Sequence, residues 1–99
     1  IEGFSTEQEA IELANDSIYG LAGGLFTQDL AKANRVANKL KMGTVWINDF
    51  HPYFAQAPWG GYKQSGIGRE LGKEGLEEYI ISKHIYTNIN PEPVNWFSK

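Results

Sequence analysis

Apolar residues recur three and four positions apart in two stretches of the first half of the chain, which predicts two amphipathic helices. In the first stretch they are Ala10, Ile11, Ala14 and Ile18. Ser5 and Thr6 precede this helix, and each is followed three residues later by Gln or Glu, as in a capping box. Asn15 marks the expected end of the helix.

The second helix is predicted over residues 29–42. Its apolar stripe comprises Leu30, Ala33, Ala37 and Leu40. Lys39 and Lys41 lie in the expected last turn, where the helix dipole favours positive charge, and Gly43 suits the C′ position.

The apolar runs on either side of this second helix are predicted to be strands. They cover residues 21–26, where two adjacent glycines weaken the prediction, and residues 44–47, which are β-branched and aromatic. Strand, helix and strand with short joints form a βαβ unit, which implies parallel strands. A parallel sheet needs cover on both faces. The remaining strands are therefore expected elsewhere in a larger protein or in a partner chain.

Residues 48–68 form a long loop that is rich in aromatic residues and glycine. His51, Tyr53 and Trp59 lie in it, between the strand end and a Gly-rich turn. Loops of this length are usually functional or disordered, and aromatic residues argue against disorder. Any single ring is more simply explained as a plug over one edge of the core. For the three rings together we favour a pocket wall.

Residues 69–79 are predicted to form a third helix. Gly72 and Gly75 each cost it roughly 1 kcal/mol relative to alanine, so something is expected to pack closely against them. Glu70 begins this helix. Its carboxylate is either favoured by the helix dipole or paired with a lysine from another segment, and the pattern leaves both open.

Residues 80–89 alternate between apolar and polar, which predicts a long strand with one apolar face. Ile81, Ile85 and Ile89 share that face. The chain offers this strand no partner, and its open edge is expected to pair with another chain. Trp96 and Phe97, in the tail before Lys99, are expected to dock on a neighbour.

Composition narrows the classes of function. The 99 residues are at most one small domain, and the net charge of −3 offers no basic patch for nucleic acid or anionic lipid. No apolar run reaches membrane-spanning length. The chain has no cysteine and opens with no signal-peptide pattern, so we expect a cytoplasmic protein. Because it begins with Ile1, we expect this start to be internal to a longer polypeptide.

Side-chain metal chemistry is disfavoured. His51 and His84 have no neighbour at metal-ligand spacing except Asp49. The glycines of residues 60–68 follow a loop rather than a strand and do not form a dinucleotide fingerprint. Their backbone carbonyls could bind a monovalent cation, although a tight turn before a helix is the simpler interpretation.

Three motifs, in the same order along the chain, resemble the C-terminal part of the aldehyde dehydrogenase superfamily. They are NDSIYGLAGG at 15–24, GTVWIN at 43–48 and APWGGYKQSGIGRELGKEGLEEY at 57–79. Motifs of this length are highly specific, and the match covers nearly the whole chain. The loop HPYFAQAPW at 51–59 is most similar to the betaine-aldehyde branch of the family.

The resemblance implies an α/β fragment that is incomplete on its own. Residues 1–79 would be the C-terminal part of the catalytic domain, with the substrate-entrance loop at 48–68. Residues 80–99 would be the oligomerisation strand and tail of a homodimer or homotetramer. A Rossmann-like domain, which binds NAD or NADP, would lie in the rest of the enzyme.

In this family a cysteine thiolate attacks the aldehyde, hydride passes to NAD(P), and a glutamate activates water. The chain contains neither that cysteine nor that glutamate, and it begins just after the family segment that contacts the nicotinamide ribose. The resemblance therefore implies that the isolated chain is inactive. In the betaine-aldehyde branch, the positions of His51, Tyr53 and Trp59 line the substrate entrance and hold a trimethylammonium group.

The resemblance implies two further sites. Lys63 and Gly66 fall where the branch supplies backbone carbonyls to a potassium ion between subunits. Glu70 falls where a glutamate pairs with a lysine of the cofactor domain in a charge relay.

The function that the resemblance implies is NAD(P)-dependent oxidation of betaine aldehyde to glycine betaine. Two alternatives stay open. One is a dehydrogenase for an aminoaldehyde or a plain aliphatic aldehyde. The other is a stand-alone, non-catalytic module that binds a small ligand with the aromatic loop and dimerises through its last strand. An upstream Gly-Gln-x-Cys segment would favour the enzyme over the module.

Overall fold

The computed structural model describes residues 1–93 and 96–97. Its elements are α1 (Glu7–Asn15), β1 (Tyr19–Gly20), β2 (Ala22–Leu25), α2 (Leu30–Ala37), β3 (Thr44–Ile47), β4 (Tyr62–Lys63) and α3 (Gly72–Glu77). β2 pairs with β3 in parallel, in a register that places Ala22 opposite Thr44. The predicted βαβ unit with parallel strands is confirmed. β1 pairs antiparallel with β4, a two-residue contact too short for a sequence pattern to reveal.

α1 uses one of its two candidate caps. The Thr6 hydroxyl accepts the Glu9 N–H at 3.1 Å, and the Glu9 carboxylate accepts the Ser5 N–H at 2.7 Å. The first bond satisfies a donor that a helix start leaves open, and the second holds the residue before the N-cap. The helix ends at Asn15, as predicted.

α2 ends at Ala37, and the prediction that it continues to residue 42 is wrong. The Asn15 side chain explains the early end. Its Nδ2 donates to the Lys39 carbonyl at 2.9 Å, and its Oδ1 accepts the Lys41 N–H at 2.8 Å. These bonds hold the backbone in a turn towards β3, so neither lysine lies in a last helical turn and Gly43 is not a C′ residue.

α3 begins at Gly72, later than predicted, and Glu70 is therefore not a helix-start residue. Trp59 and Glu70 exchange both backbone hydrogen bonds, each 2.7 Å long, which holds Glu70 in an antiparallel bridge. Leu71 then takes a positive φ of 60°. The expected close packing is confirmed at Gly75, which is buried and whose added Cβ would lie 2.7 Å from the Glu70 carbonyl carbon.

Residues 80–89 form no strand in the described single chain, which contradicts the prediction. A strand exists only with a hydrogen-bonded neighbour, and the described residues provide none. The predicted apolar face is open, with Ile81 and Ile89 each 93% exposed. Trp96 and Phe97 are also exposed. The remainder of the predicted docking tail, residues 94–95 and 98–99, lies outside the described residues.

Little of the chain is buried. Among the described apolar residues, Ile11 and Ala33 alone are buried. A groove of about 520 Å³ opens between α1, α2 and β2, and its apolar lining includes Ala10, Ile11, Ala14, Leu25, Val36 and Leu40. The radius of gyration is 22.9 Å, whereas a compact domain of this length has about 13 Å. The fold is an incomplete α/β fragment, as the missing sheet cover indicated.

α1 is also tied to α2 by an ion pair. Arg35 donates to both carboxylate oxygens of Glu7, at 2.8 and 2.7 Å. The Arg35 hydrogen bond lowers the pKa of Glu7, and the Glu7 hydrogen bond raises the pKa of Arg35. Both side chains lie at the surface, where such ion pairs contribute little to the stability of the fold.

None of the helices in the described part of the chain is long and apolar enough to cross a membrane.

Candidate functional site

The aromatic loop begins at Asn48, directly after β3. Asn48 has a φ of 57°, in the left-handed region that asparagine tolerates better than most residues. Its N–H donates to the Leu25 carbonyl at 2.8 Å, and its Oδ1 accepts the Thr27 N–H at 2.8 Å. Asn48 thus joins the ends of β2 and β3 and turns the chain into the loop.

The rings of the loop gather around Trp46, on β3. Its ring centroid lies 5.5 Å from Phe50, 5.8 Å from His51 and 6.1 Å from Trp59. These separations are in the range of favourable aromatic pairs. We call Trp46, Phe50, His51, Tyr53 and Trp59 the aromatic cluster.

The structure brings the three predicted wall residues into this one cluster. Tyr53 and Trp59 are in direct contact, with ring centroids 5.2 Å apart and planes at 67°. His51 joins through Trp46 and through Phe50, whose centroid is 5.6 Å away. His51 and Tyr53 are exposed and Trp59 is half-buried, so the cluster has open ring surface.

Sequence reasoning missed the part that Trp46 takes in the site. A tryptophan inside a β-branched run predicts only a strand residue. Its position two residues before the loop was the one available signal. Which loop rings would fold back onto it depends on the loop conformation, which the pattern does not specify.

Lys63, the last residue of β4, and Gly66 flank one turn that follows the cluster, with φ values of 53° and 128°. The Lys63 ammonium donates to the carbonyls of Asn15 and Ser17, at 2.8 and 2.9 Å. This side chain therefore holds the turn against the end of α1. The Gly66 carbonyl accepts no backbone N–H among the described residues.

Side-chain metal binding has no support in the described residues, which contain no group of three His, Asp or Glu that could hold a metal ion. The turn does offer backbone carbonyl oxygens, which are ligands that hard cations accept.

Glu70 lies beside the aromatic cluster because its backbone pairs with Trp59. Its side chain is exposed and makes no hydrogen bond or ion pair within the described part of the chain. The preceding Arg69 is fixed instead, since its Nη1 donates to the carbonyls of Gly61 and Gly68 at 3.1 and 2.7 Å. The Glu70 carboxylate is thus placed at the surface on a well-anchored backbone.

The parallel unit and the loop that it carries are part of a known enzyme class. Residues 1–85 match the aldehyde dehydrogenase family, and the chain belongs to this family. This confirms the family resemblance drawn from the three motifs.

Individual relatives show which members of the family the chain is similar to. The chain is 69% identical over 98 residues to betaine aldehyde dehydrogenase of Bacillus subtilis (strain 168), covering 99% of this chain and 20% of the relative. It is 48% identical over 97 residues to aminoaldehyde dehydrogenase 2 of Pisum sativum, covering 98% and 19%. The expected similarity to the betaine-aldehyde branch of the family is confirmed.

A solved structure agrees with the fold. The crystal structure of Staphylococcus aureus betaine aldehyde dehydrogenase in complex with NAD⁺ is 84% identical and superposes with a TM-score of 0.95, covering 99% of this chain and 20% of that one. The chain therefore spans about one fifth of the length of these relatives.

Proposed function

We propose that the chain is the C-terminal part of an NAD-dependent aldehyde dehydrogenase that oxidises betaine aldehyde to glycine betaine. The observation that carries the proposal is the open aromatic cluster, in which Tyr53 meets Trp59 at 5.2 Å. A quaternary ammonium group cannot donate a hydrogen bond, so a site must hold it by shape and by the negative faces of rings. The similarity to betaine aldehyde dehydrogenases supports the same substrate.

The chain contributes recognition rather than the bond-making groups. It contains no cysteine, so the thiolate that attacks the aldehyde carbon must come from the rest of the enzyme. NAD⁺ accepts the hydride when bound, and it is bound in the S. aureus relative. Residues 51–59 would orient the trimethylammonium end of the substrate and keep its aldehyde pointing towards the thiolate.

The test is an assay of NADH formation from betaine aldehyde. The full-length protein is expected to reduce NAD⁺, whereas the purified 99-residue chain should not exceed a buffer blank because no thiol is present. Reduction by the isolated chain would contradict this. A full-length enzyme that prefers a primary aminoaldehyde over betaine aldehyde would support the alternative substrate class, as the P. sativum relative suggests.

We also propose that the Glu70 carboxylate pairs with a lysine of the cofactor domain in a charge relay. Its exposed position on a backbone fixed to Trp59 supports this role. In the full-length enzyme, Glu70→Gln should lower kcat by about three- to fivefold, well below the effect of losing a direct acid or base, because the group acts through another residue. Circular dichroism should show an unchanged fold.

Glu74→Gln is the matched control for that change. Glu74 is also an exposed carboxylate, and it lies in the first turn of α3. We expect the kcat of the Glu74→Gln variant to equal that of the wild type. Equal rates for the two variants would leave Glu70 with only its backbone role in the bridge to Trp59.

We propose two further features of this part of the enzyme, and both concern the assembly of its subunits. The carbonyls of Lys63 and Gly66 would bind a potassium ion between subunits, supported by the anchored turn and the Gly66 carbonyl described above. Residues 80–89 would join a sheet with another subunit of a homodimer or homotetramer. Their exposed isoleucines support this, because pairing would cover both the apolar face and the open edge.

A further inference from the structure

Trp46 occupies a fixed place beneath the aromatic loop. It lies on β3 opposite Gly24 in the parallel ladder, so its backbone belongs to the regular part of the fold. Its ring contacts His51 near the start of the loop and Trp59 near its middle. One side chain on a strand thus contacts two separate parts of the loop.

Trp46 also donates a hydrogen bond to the backbone of the loop. Its indole Nε1–H donates to the Pro52 carbonyl at 3.1 Å. Proline has no backbone N–H, so this carbonyl is the one hydrogen-bonding group that Pro52 offers. The bond therefore fixes the peptide that leads into Tyr53.

The residue that this bond stabilises has an unfavourable backbone. His51 has a φ of 73°, which is uncommon for a residue other than glycine. The residue before a proline also favours extended backbone. Such a conformation persists only when its surroundings hold it. Trp46 makes two of the contacts that hold this conformation, the ring contact to His51 and the hydrogen bond to the Pro52 carbonyl.

We propose that Trp46 is a positioning residue for substrate selection, which holds His51 and Pro52 so that Tyr53 stays edge-on to Trp59. This inference rests on the proposed function for its substrate. Trp46 acts through the loop and is not proposed to touch the substrate. Its indole N–H is the group that distinguishes positioning from simple filling of space.

The test is Trp46→Phe in the full-length enzyme, which keeps a ring and removes the N–H. The KM for betaine aldehyde should rise about fivefold, the size of one lost hydrogen bond to a neutral carbonyl, with kcat unchanged. Hydrogen–deuterium exchange of the amides at residues 53–57 should accelerate by a similar factor. Unchanged exchange, or an unchanged KM in an enzyme that is active on betaine aldehyde, would overturn the proposal.

Trp96→Phe is the matched control, because it makes the same chemical change at an exposed tryptophan. Exchange at residues 53–57 should not respond to it. The exchange measurement needs no substrate, so it decides the Trp46 proposal even if the enzyme proves inactive on betaine aldehyde. If Trp46→Phe does not fold, a crystal structure of the wild-type full-length enzyme decides instead: an Nε1–Pro52 oxygen separation beyond about 3.5 Å would overturn the proposal.

Discussion

Replacing Gly43 by alanine should destabilise the full-length enzyme by about 3 kcal/mol, at the upper end of overpacking effects. A Cβ at Gly43 would lie 1.7 Å from the Gly60 carbonyl oxygen and 3.2 Å from the Leu21 carbonyl oxygen. Both contacts are backbone atoms, which cannot rotate away. Gly43 also donates its N–H to the Gly20 and Leu21 carbonyls at 3.1 Å, so it cannot retreat without losing hydrogen bonds. The expected destabilisation comes from steric overlap and not from backbone strain, because Gly43 is not among the residues with positive φ.

Scanning fluorimetry of the full-length protein measures the effect. The Tm should fall by about 6–12 °C, at 2–4 °C per kcal/mol for a large domain. Gly3→Ala is the control, since a Cβ there meets nothing within 4 Å. It should change stability by less than about 0.5 kcal/mol. Equal Tm values for the two variants would show that Gly43 and Gly60 do not approach each other as described.

Trp59→Ala in the full-length enzyme should raise the KM for betaine aldehyde roughly tenfold, the size of one lost cation–π contact in a desolvated site. The bridge to Glu70 should survive, because Trp59 makes it with backbone atoms only. The control is Trp59→Phe, which keeps a ring with a weaker negative face and should recover most of the affinity. Steady-state kinetics give the KM values. A change of less than about twofold for Trp59→Ala would contradict a cation–π role.

The sequence predicted the features that depend on local pattern. The short apolar run at Thr44–Ile47 appears as β3 within the predicted bounds, and its parallel pairing follows from the helix that connects it to β2. The three rings expected in a wall do gather in one cluster. Strand periodicity, connection length and aromatic content are all visible without knowing the fold.

The features that sequence missed depend on residues far apart in the chain. The end of α2 is set by Asn15, whose amide binds the backbone at Lys39 and Lys41. Glu70 leaves the predicted helix because it pairs with Trp59. In each case a non-local hydrogen bond outweighs a local helix preference of at most about 1 kcal/mol per residue.

Residues 80–89 show another reason why a sequence pattern can fail to predict the structure of the described chain. Their alternation predicts a strand, yet a strand forms only when a neighbour accepts and donates its backbone hydrogen bonds. The described single chain holds no such neighbour, so the alternation alone does not produce a strand in it. The groove between α1, α2 and β2 is likewise left open by the described residues.

The central claim is that the aromatic cluster selects a quaternary ammonium group. The most direct test compares betaine aldehyde with 3,3-dimethylbutanal, its uncharged analogue, in which carbon replaces the ammonium nitrogen at nearly the same shape. The ratio of kcat/KM for the charged over the neutral aldehyde is measured in the full-length wild type and in Trp59→Ala. We predict that the ratio falls about tenfold in the variant, because only the cation loses an attraction to the ring. Equal losses for the two aldehydes would contradict the claim and leave Trp59 as a packing residue.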